Sequence, residues 1–476
     1  MATEALMLIG GDWRRGIVQE PVVEPVRGEE ALRVWLASAE QVDDAVRSAR
    51  RTWAQYGEAP AHRRAAILAE AARLLAAQRE EFAGLMVAAG GKVWKEALGE
   101  VDVSVEILRL SGEEARRIGG EVVPMDSNPA GEGRLAVTMR FPLGVVAAIT
   151  PFNAPLSVTC NKVGPALAAG NCVVHKPDLR GSAVGARLAT IFLAAGLPPG
   201  ALNVIYGDAD VGEALVTHPG VDMVNFTGSN RVGARIVAIA GLKRVVLELG
   251  GTGATVVHED ANLPAAAKMC IPASFGLAGQ SCVSTQRLYV HRAVVEAFLE
   301  HFLPLVDALR AGDPRDPQTD LGPMVSEEAA RRVEGWVREA VDGGARLLRG
   351  GERRGALLAP TVLSDVTPAM RVVCEEVFGP VVSILPYDDV DAALAAVNDT
   401  PFGLQAGLFT GSLDVALRAL RTIRTGTVVV NGPSRWRVYH MPYGGVKASG
   451  WGREGPRYSI EDMTEERLLV LGPAGR

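Results

Sequence analysis

The first part of the chain carries apolar residues at helical spacing. From residue 42 to about residue 86, they recur every three or four positions between charged side chains. This spacing predicts amphipathic helices. The positions that carry it best are Ile67, Leu68, Ala71, Leu74, Leu75 and Phe82.

After Gly144 short apolar runs alternate with helical stretches, a pattern typical of a parallel sheet with crossover helices. The segments of this series are 145–149, 165–169, 172–174, 183–195, 202–205 and 221–225. A second series follows Gly250, with segments at 287–290, 294–309, 381–385, 392–397 and 427–430. We therefore predict two α/β domains. Further strands are predicted outside both sheets. The evidence is period-two alternation at Leu135, Val137 and Met139 and a final apolar run at 467–471.

The composition changes this picture by excluding several classes of protein. With 476 residues, 48% of them hydrophobic and 22% charged, the chain is typical of a packed protein of more than one domain. A net charge of −6 offers no attraction to nucleic acid or an anionic membrane, so neither partner is expected. No apolar run approaches the roughly 20 residues that span a bilayer, and the first residues lack the pattern of a secretion signal.

Five cysteines without a C-x-x-C pair argue against a disulfide framework and against a zinc site. A reducing compartment fits this number best, so we expect a cytoplasmic protein without a bound metal. Cys160, Cys172 and Cys270 stand beside apolar helical stretches and are interpreted as small core residues.

Three glycine-containing segments are candidates for chemistry. In Phe226-Thr-Gly-Ser-Asn-Arg-Val-Gly233, glycines at a strand-to-helix turn allow a dinucleotide to approach the backbone, although an ordinary turn is the alternative. Glu248 ends an apolar strand before two glycines. It can be a base in a cleft, and a solvated or salt-bridged strand end is the alternative. Cys282 stands among small residues, which suits a ligand's approach, and burial as a small hydrophobe is its alternative.

Taken together, Glu-Leu-Gly-Gly at 248–251 and Gly-Gln-Ser-Cys at 279–282 resemble the aldehyde dehydrogenase superfamily. Matching segments run along nearly the whole chain: Ile9-Gly-Gly-Asp-Trp13, Phe141-Pro-Leu-Gly-Val-Val146, Ile149-Thr-Pro-Phe-Asn153, Lys176-Pro, Phe226-Thr-Gly-Ser229, Glu375-Glu-Val-Phe-Gly-Pro380, Pro442-Tyr-Gly-Gly-Val-Lys447 and Gly452-Arg-Glu454. The C-terminal part looks most like the branch with lactaldehyde, phosphonoacetaldehyde and non-phosphorylating glyceraldehyde-3-phosphate dehydrogenases.

The resemblance implies an α/β fold with a Rossmann-type cofactor domain, an α/β catalytic domain and a small β oligomerisation element. Residues 1–120 and 143–250 are assigned to the first domain, and 251–448 to the second. The third element takes 121–142 and 449–476. A homodimer or homotetramer is implied.

The resemblance also implies oxidation of an aldehyde to the carboxylic acid with reduction of NAD or NADP. Cys282 attacks as a thiolate to form a thiohemiacetal, and the side-chain amide of Asn153 with the backbone N–H of Cys282 holds the oxyanion. Glu248 activates the water that hydrolyses the thioester. Lys162 is given a supporting electrostatic role, with a salt bridge at a helix start as the alternative.

For the cofactor, Lys176 matches the contact to the adenosine ribose, and Glu376 and Phe378 match contacts on the nicotinamide side. The other residues assigned to this groove are Thr150, Pro151, Phe152, Gly228, Ser229, Gly233 and Leu249. Leu179 stands where NAD-preferring members often carry a glutamate, and Arg180 beside it can attract a 2′-phosphate or be a solvated arginine at a helix start. We therefore expect NADP to be tolerated.

The segment 434–440 falls where family members line the substrate mouth. It holds Arg435, Arg437 and His440, and we assign the last two to the substrate. A cationic mouth favours a small polar or anionic aldehyde, whereas exposed arginines in a mobile loop are the alternative.

Two other reactions start from the same cysteine. A CoA-acylating semialdehyde dehydrogenase would transfer the acyl group to coenzyme A, but acylating members commonly lack the base found at Glu248. A cysteine-dependent hydrolase or acyltransferase is the rival from another class, but no histidine follows Cys282 in a recognisable triad context.

Overall fold

The protein is described by a computed structural model for residues 4–472. Residues 1–3 and 473–476, at the outer ends of two predicted domain segments, lie outside the described residues. The helices are α1 (Ala39–Tyr56), α2 (Ala61–Ala77), α3 (Arg79–Gly90), α4 (Trp94–Ala115), α5 (Ser157–Ala169), α6 (Ser182–Ala194), α7 (Ala209–Thr217), α8 (Asn230–Ile239), α9 (Leu263–Phe275), α10 (Val295–Asp307), α11 (Glu327–Asp342), α12 (Arg371–Cys374), α13 (Val390–Asn398), α14 (Leu413–Thr422) and α15 (Pro456–Asp462).

The strands fall into two larger and three smaller sheets. In chain order they are β1 (Glu4–Ala5), β2 (Met7–Ile9), β3 (Asp12–Arg14), β4 (Val18–Val23), β5 (Glu30–Leu36), β6 (Val122–Val123), β7 (Leu135–Pro142), β8 (Val145–Thr150), β9 (Cys172–Pro177), β10 (Leu202–Val204), β11 (Met223–Thr227), β12 (Arg244–Glu248), β13 (Ala254–Val257), β14 (Arg287–His291), β15 (Arg346–Arg349), β16 (Arg353–Arg354), β17 (Leu357–Leu358), β18 (Thr361–Ser364), β19 (Val381–Tyr387), β20 (Gln405–Phe409), β21 (Thr427–Val430), β22 (Gly450–Trp451) and β23 (Thr464–Leu471).

The first large sheet has the order β22–β12–β11–β8–β9–β10–β2–β3. Strands β12 to β10 run parallel, and β22 and β2 are antiparallel to their neighbours. Both β8 and β9 are buried along almost their whole length, which explains their continuous apolar runs. The predicted runs at 145–149, 172–174, 202–205 and 221–225 correspond to β8–β11, whereas 165–169 is the end of α5.

The second large sheet has the order β15–β18–β19–β14–β13–β20–β21, with only β15 antiparallel to its neighbour. It has its own apolar core, separate from the core of the first sheet. The second predicted series is confirmed here, as strands β14, β19 and β21 and helices α10 and α13.

The strands expected outside the main sheets form the antiparallel sheet β23–β7–β6. β7 pairs with β23 along eight residues, from Leu135 opposite Leu471 to Pro142 opposite Thr464. Most side chains of β23 are exposed, Leu468 among them.

The predicted domain boundaries stay a proposal. Within residues 4–472, no helix combines the length and the apolarity needed to cross a membrane.

The topology brings three strand ends together. In the first sheet β8 has β9 on one side, joined to it by α5, and β11 on the other. Ligand crevices in open α/β sheets form outside the carboxyl ends of strands at such a switch point. Thr150 ends β8, Thr227 ends β11 and Glu248 ends β12. Residues that lie far apart in the sequence therefore meet at one sheet edge.

Candidate active site

A cavity of about 1240 Å³ opens at this sheet edge and extends from Lys176 to Cys282. A large pocket with a few convergent polar groups is the usual place for a ligand. The predicted site residues that line it are Thr150, Pro151, Phe152, Asn153, Lys176, Gly228, Ser229, Glu248, Leu249, Cys282, Glu376, Phe378 and Arg437. Most of the predicted site is thus brought together in one cavity.

Three predicted residues lie outside the described lining of this cavity. Gly233 packs against Leu249, where a Cβ would stand 2.7 Å from the leucine side chain, so this glycine allows close packing of α8, and its contact with a dinucleotide stays a prediction. His440 is exposed and lies outside the described lining of the cavity, so its assignment to the substrate stays a prediction. Lys162 is fully buried near Glu248.

The nucleophile loop begins with a left-handed turn. After α9, Leu277, Ala278 and Gly279 have φ values of 56°, 52° and 69°. For residues with a side chain this conformation costs about 1–2 kcal/mol each, so surrounding contacts must hold it. A Cβ at Gly279 would stand 1.9 Å from the carbonyl oxygen of Gly379, so only glycine fits. The turn delivers Cys282 to the cavity wall.

The surroundings of Cys282 favour its neutral thiol. Burial raises the pKa of Cys282 to about 12, and the carboxylates of Glu248 and Glu376 act in the same direction. Two groups act against them: the hydroxyl of Tyr443, whose oxygen is 3.3 Å from Sγ, and the cation of Arg437. Formation of the thiolate therefore depends on these two groups and on whatever binds in the cavity.

Asn153 is oriented towards the nucleophile loop. Its Nδ2 donates a hydrogen bond to the carbonyl oxygen of Gln280 at 2.8 Å. A side-chain amide has two N–H bonds, so this contact orients the group and leaves one donor for a ligand. The predicted oxyanion contact is therefore sterically reasonable.

Glu248 is almost completely buried, and within the described part of the chain neither carboxylate oxygen has a hydrogen-bond partner. Burial raises its pKa well above the usual range, and the negative charge of Glu454 adds to the effect. Lys162 and Arg437 offset only part of it. A carboxylate with a raised pKa and free lone pairs has the properties of a general base near neutral pH.

A buried charge network supports Glu248. Glu454 pairs with Lys162 Nζ at 3.3 Å and with Arg437 Nη2 at 3.2 Å, and Lys162 also donates to Asn225 at 2.6 Å. Burial opposes ionisation of Glu454, but these two cations hold its pKa below the usual range. Pairing offsets much of the cost of burying the charges. The sequence motif contained Glu454 but carried no sign of this pairing.

The residues predicted for the cofactor fit a dinucleotide. Ser229 caps α8, whose N-terminus faces the cavity, and such an end suits a phosphate group. Glu376 accepts a hydrogen bond from the N–H of Gly251 at 3.1 Å, and burial raises its pKa to about 7. Phe378 packs edge-on against Phe152 with 6.0 Å between ring centroids.

At the far end of the cavity, two carboxylates accompany Lys176. Burial lowers the pKa of Lys176, and the charges of Asp178 and Asp208 oppose this shift. Arg180 lines a separate small cavity beside Phe152 and not the large one, so it is poorly placed for a 2′-phosphate. Sequence reasoning missed Asp208, which lies between the matching segments at Lys176-Pro and Phe226-Thr-Gly-Ser229 and belongs to neither.

The cations that line the cavity include Lys92, Arg435 and Arg437. Lys92 pairs with buried Glu100, and the charge of Arg437 is offset by Glu454. Arg435 hydrogen-bonds the carbonyl oxygen of Pro272, and no carboxylate in residues 4–472 forms an ion pair with it. Arg435 therefore has the least compensated charge of the three.

The described residues contain no cluster of three or more potential metal ligands.

Comparison with known proteins points to one family. The family model described as "Aldehyde dehydrogenase family" matches residues 13–469. Over 470 residues the chain is 46% identical to a 3-sulfolactaldehyde dehydrogenase of Priestia aryabhattai, covering 98% of this chain and 97% of that protein. An NADP-dependent glyceraldehyde-3-phosphate dehydrogenase of Streptococcus equinus is 35% identical, covering 97% and 98%.

Solved structures agree with these relatives. Aldehyde dehydrogenase 21 from Physcomitrella patens, in complex with the reaction product succinate, superposes with a TM-score of 0.97 at 34% identity, covering 100% of this chain and 99% of that one. An NADP-dependent glyceraldehyde-3-phosphate dehydrogenase from Bacillus halodurans C-125, complexed with NADP, gives 0.96 at 36% identity, covering 99% and 100%. These matches confirm the predicted fold class.

Proposed function

Because this chain belongs to the aldehyde dehydrogenase family, we propose that it oxidises a small anionic aldehyde through a thioester on Cys282. The enzyme is an NAD(P)-dependent aldehyde dehydrogenase, which converts an aldehyde to the carboxylic acid as NAD or NADP is reduced. The observation that carries the proposed mechanism is that Cys282 and the unpartnered carboxylate of Glu248 line the same cavity.

In the proposed mechanism, Cys282 Sγ attacks the aldehyde carbon and forms a thiohemiacetal. The free N–H of Asn153 and the backbone N–H of Cys282 stabilise the oxyanion, where loss of one donor costs roughly 10²–10³ in rate. After oxidation to the thioester, Glu248 takes a proton from water, which attacks the acyl carbon and releases the acid from Sγ. Lys162 and Glu454 form an ion pair next to Glu248, and their opposite charges act on its pKa in opposite directions.

NAD or NADP, when bound, supplies the hydride acceptor. The residues proposed to hold it line the cavity: Lys176 on the adenosine side, Ser229 at the N-terminus of α8, and Glu376 with Phe378 on the nicotinamide side. The N-terminus of α8, which faces the cavity, and the extent of the cavity from Lys176 to Cys282 support this assignment.

Replacing Asp208 by serine is expected to improve NADP binding about tenfold relative to NAD, because a carboxylate near Lys176 repels a 2′-phosphate. Serine keeps the capping of α7, which Asp208 provides. Titration of both cofactors, followed by fluorescence and by kcat/KM, measures the change. Asp210→Ser is the matched control, since Asp210 stands outside the cavity lining. Equal effects of both variants would refute the assignment.

An anionic substrate is supported by charge near the nucleophile. The relatives named above act, by their names, on aldehydes that carry a sulfonate or a phosphate. Arg437, predicted from the sequence for this role, lines the cavity but is already paired with Glu454. We therefore assign the main anion contact to Arg435, with Arg437 as the deeper neighbour.

Arg435→Ala is expected to raise KM for an anionic aldehyde by about 10–100-fold and to leave KM for a neutral aldehyde of similar size unchanged, because it removes a charge-assisted contact. Steady-state kinetics with matched sulfonated, phosphorylated and neutral aldehydes tests this. Arg421→Ala removes an exposed arginine of α14 as the control. A uniform rise of KM for charged and neutral substrates would contradict anion recognition.

The proposed function is tested by a panel of neutral, hydroxylated, carboxylated, phosphorylated, phosphonylated and sulfonated aldehydes, each assayed with NAD and with NADP. Cys282→Ser serves as the blank. We expect the highest kcat/KM with a small aldehyde that carries a strong anion. Highest efficiency with a neutral aldehyde would refute the substrate proposal and leave the mechanism standing.

We also propose a homodimer or homotetramer in the cytoplasm. One face of the sheet β23–β7–β6 exposes Leu135, Met139 and Leu469, a patch that association would remove from water. A thiol nucleophile keeps its activity in a reducing compartment. Light scattering during gel filtration, compared with a Leu469→Glu variant, tests the assembly, and a wild-type monomer at micromolar concentration would refute it.

A further inference from the structure

Tyr443 contacts the nucleophile but has no part in the mechanism above. Its hydroxyl oxygen lies 3.3 Å from Cys282 Sγ, and its side chain is buried in a small apolar cluster with Val283 and Leu404. We propose that the Tyr443 hydroxyl donates a hydrogen bond to the Cys282 thiolate and sets the fraction of the nucleophile that is ionised. The inference rests on the proposed function of Cys282.

The direction of this hydrogen bond follows from proton count. While Cys282 is a thiol, either partner can donate. Once the thiol loses its proton, only the phenol still has one to donate, and the contact becomes a charge-assisted hydrogen bond. Burial, together with Cys282 and Glu248, raises the pKa of Tyr443 well above its usual range, so the phenol keeps its proton. The bond therefore stabilises the thiolate more than the thiol.

Arg437 strengthens this donor. Its guanidinium carbon lies 3.7 Å from the centroid of the Tyr443 ring and 4.7 Å from that of Tyr439, while Glu454 holds its Nη2. A cation over an aromatic face draws on the electron density of the ring, which makes the phenol a better donor. The position of Arg437 thus connects the nucleophile to the buried network around Glu248.

The electrostatic surroundings of Cys282 determine how much the Tyr443 hydroxyl contributes to ionisation of the thiol. The charged and titratable groups that act on the thiol are Glu248, Glu376, Arg437 and Tyr443. Burial and the two carboxylates oppose the thiolate, and only the other two groups favour it. Removing the hydroxyl leaves Arg437 alone against them, so the ionised fraction of Cys282 falls.

The test is Tyr443→Phe, which keeps the ring under Arg437 and removes only the hydroxyl. Alkylation of Cys282 by iodoacetamide is followed against pH in the full-length enzyme without aldehyde or cofactor, in a Cys374→Ser background that lacks the exposed thiol. Tandem mass spectrometry of the peptide that also contains Cys270 assigns the reacted sulfur. We expect an alkylation rate about tenfold lower near neutral pH, an upward shift of the midpoint, and an unchanged limiting rate at high pH.

Two further variants keep the test decisive. Tyr439→Phe removes the hydroxyl from the other ring beside Arg437 and should leave the alkylation midpoint unchanged. Difluorotyrosine at position 443, a stronger donor, should lower the midpoint, which a merely structural role of the ring would not do. An unchanged midpoint in Tyr443→Phe, or an upward shift with difluorotyrosine, overturns the proposal. Since alkylation needs no substrate, a failure of the proposed function would appear separately: the wild-type enzyme would reduce neither NAD nor NADP with any aldehyde of the panel, or turnover would survive in Cys282→Ser.

Discussion

Replacing Cys282 by serine is expected to lower kcat for aldehyde oxidation by at least about 10⁴-fold while cofactor binding is kept. A serine hydroxyl is a much weaker nucleophile than a thiolate, because almost none of it is ionised near neutral pH. The side chains differ by one atom, so the left-handed turn before residue 282 should persist. Stopped-flow measurement of NADH formation and a fluorescence titration of the cofactor check both parts.

Cys374→Ser is the matched control for this prediction. Cys374 is the exposed cysteine at the end of α12 and does not line the cavity, so its loss should leave kcat within about twofold. The same loss of activity in both variants would mean that the nucleophile has been assigned wrongly.

Glu248→Gln is expected to separate the two halves of the reaction. The variant should form one equivalent of NADH per active site in a rapid burst and then turn over about 10²–10⁴-fold more slowly, because the thioester forms but no base activates water. Glutamine has nearly the same shape, so the cavity should be preserved. Rapid-mixing absorbance measurements resolve the burst from the slow phase.

The pH dependence of the same variant provides its internal control. Since burial raises the pKa of Glu248, its carboxylate form is populated only as pH rises through that raised value, and wild-type kcat should rise in parallel. Glutamine does not titrate, so this increase should disappear from the slow phase. If the variant keeps both the wild-type pH profile and its rate, Glu248 is not the base.

The parts of the fold that were predictable have simple physical causes. Strands β8 and β9 are buried on both faces, so each is a nearly continuous apolar run, which can be recognised in the sequence. Cys282 and Glu248 were predictable because each follows or precedes glycines at a chain turn, in segments that resemble one family. In both cases the signal lies within a few consecutive residues.

The missed features depend on contacts between distant segments. Lys162 and Glu454 are 292 positions apart, so no local pattern indicates that they pair in the interior. Gly233 reads the same whether a ligand or Leu249 approaches it, and the structure places the leucine there. His440 stands three positions from Arg437, yet nearness in sequence does not determine which way a side chain points.

The central claim is that the oxidised substrate is carried as a thioester on Cys282 until Glu248 activates water. The most direct measurement is peptide mass spectrometry of Glu248→Gln, quenched with acid shortly after mixing with cofactor and the preferred aldehyde. The account predicts the mass of the acyl group on Cys282, in amounts equal to the NADH formed. NADH formation without an acyl group on Cys282, or with the added mass on another residue, would contradict it.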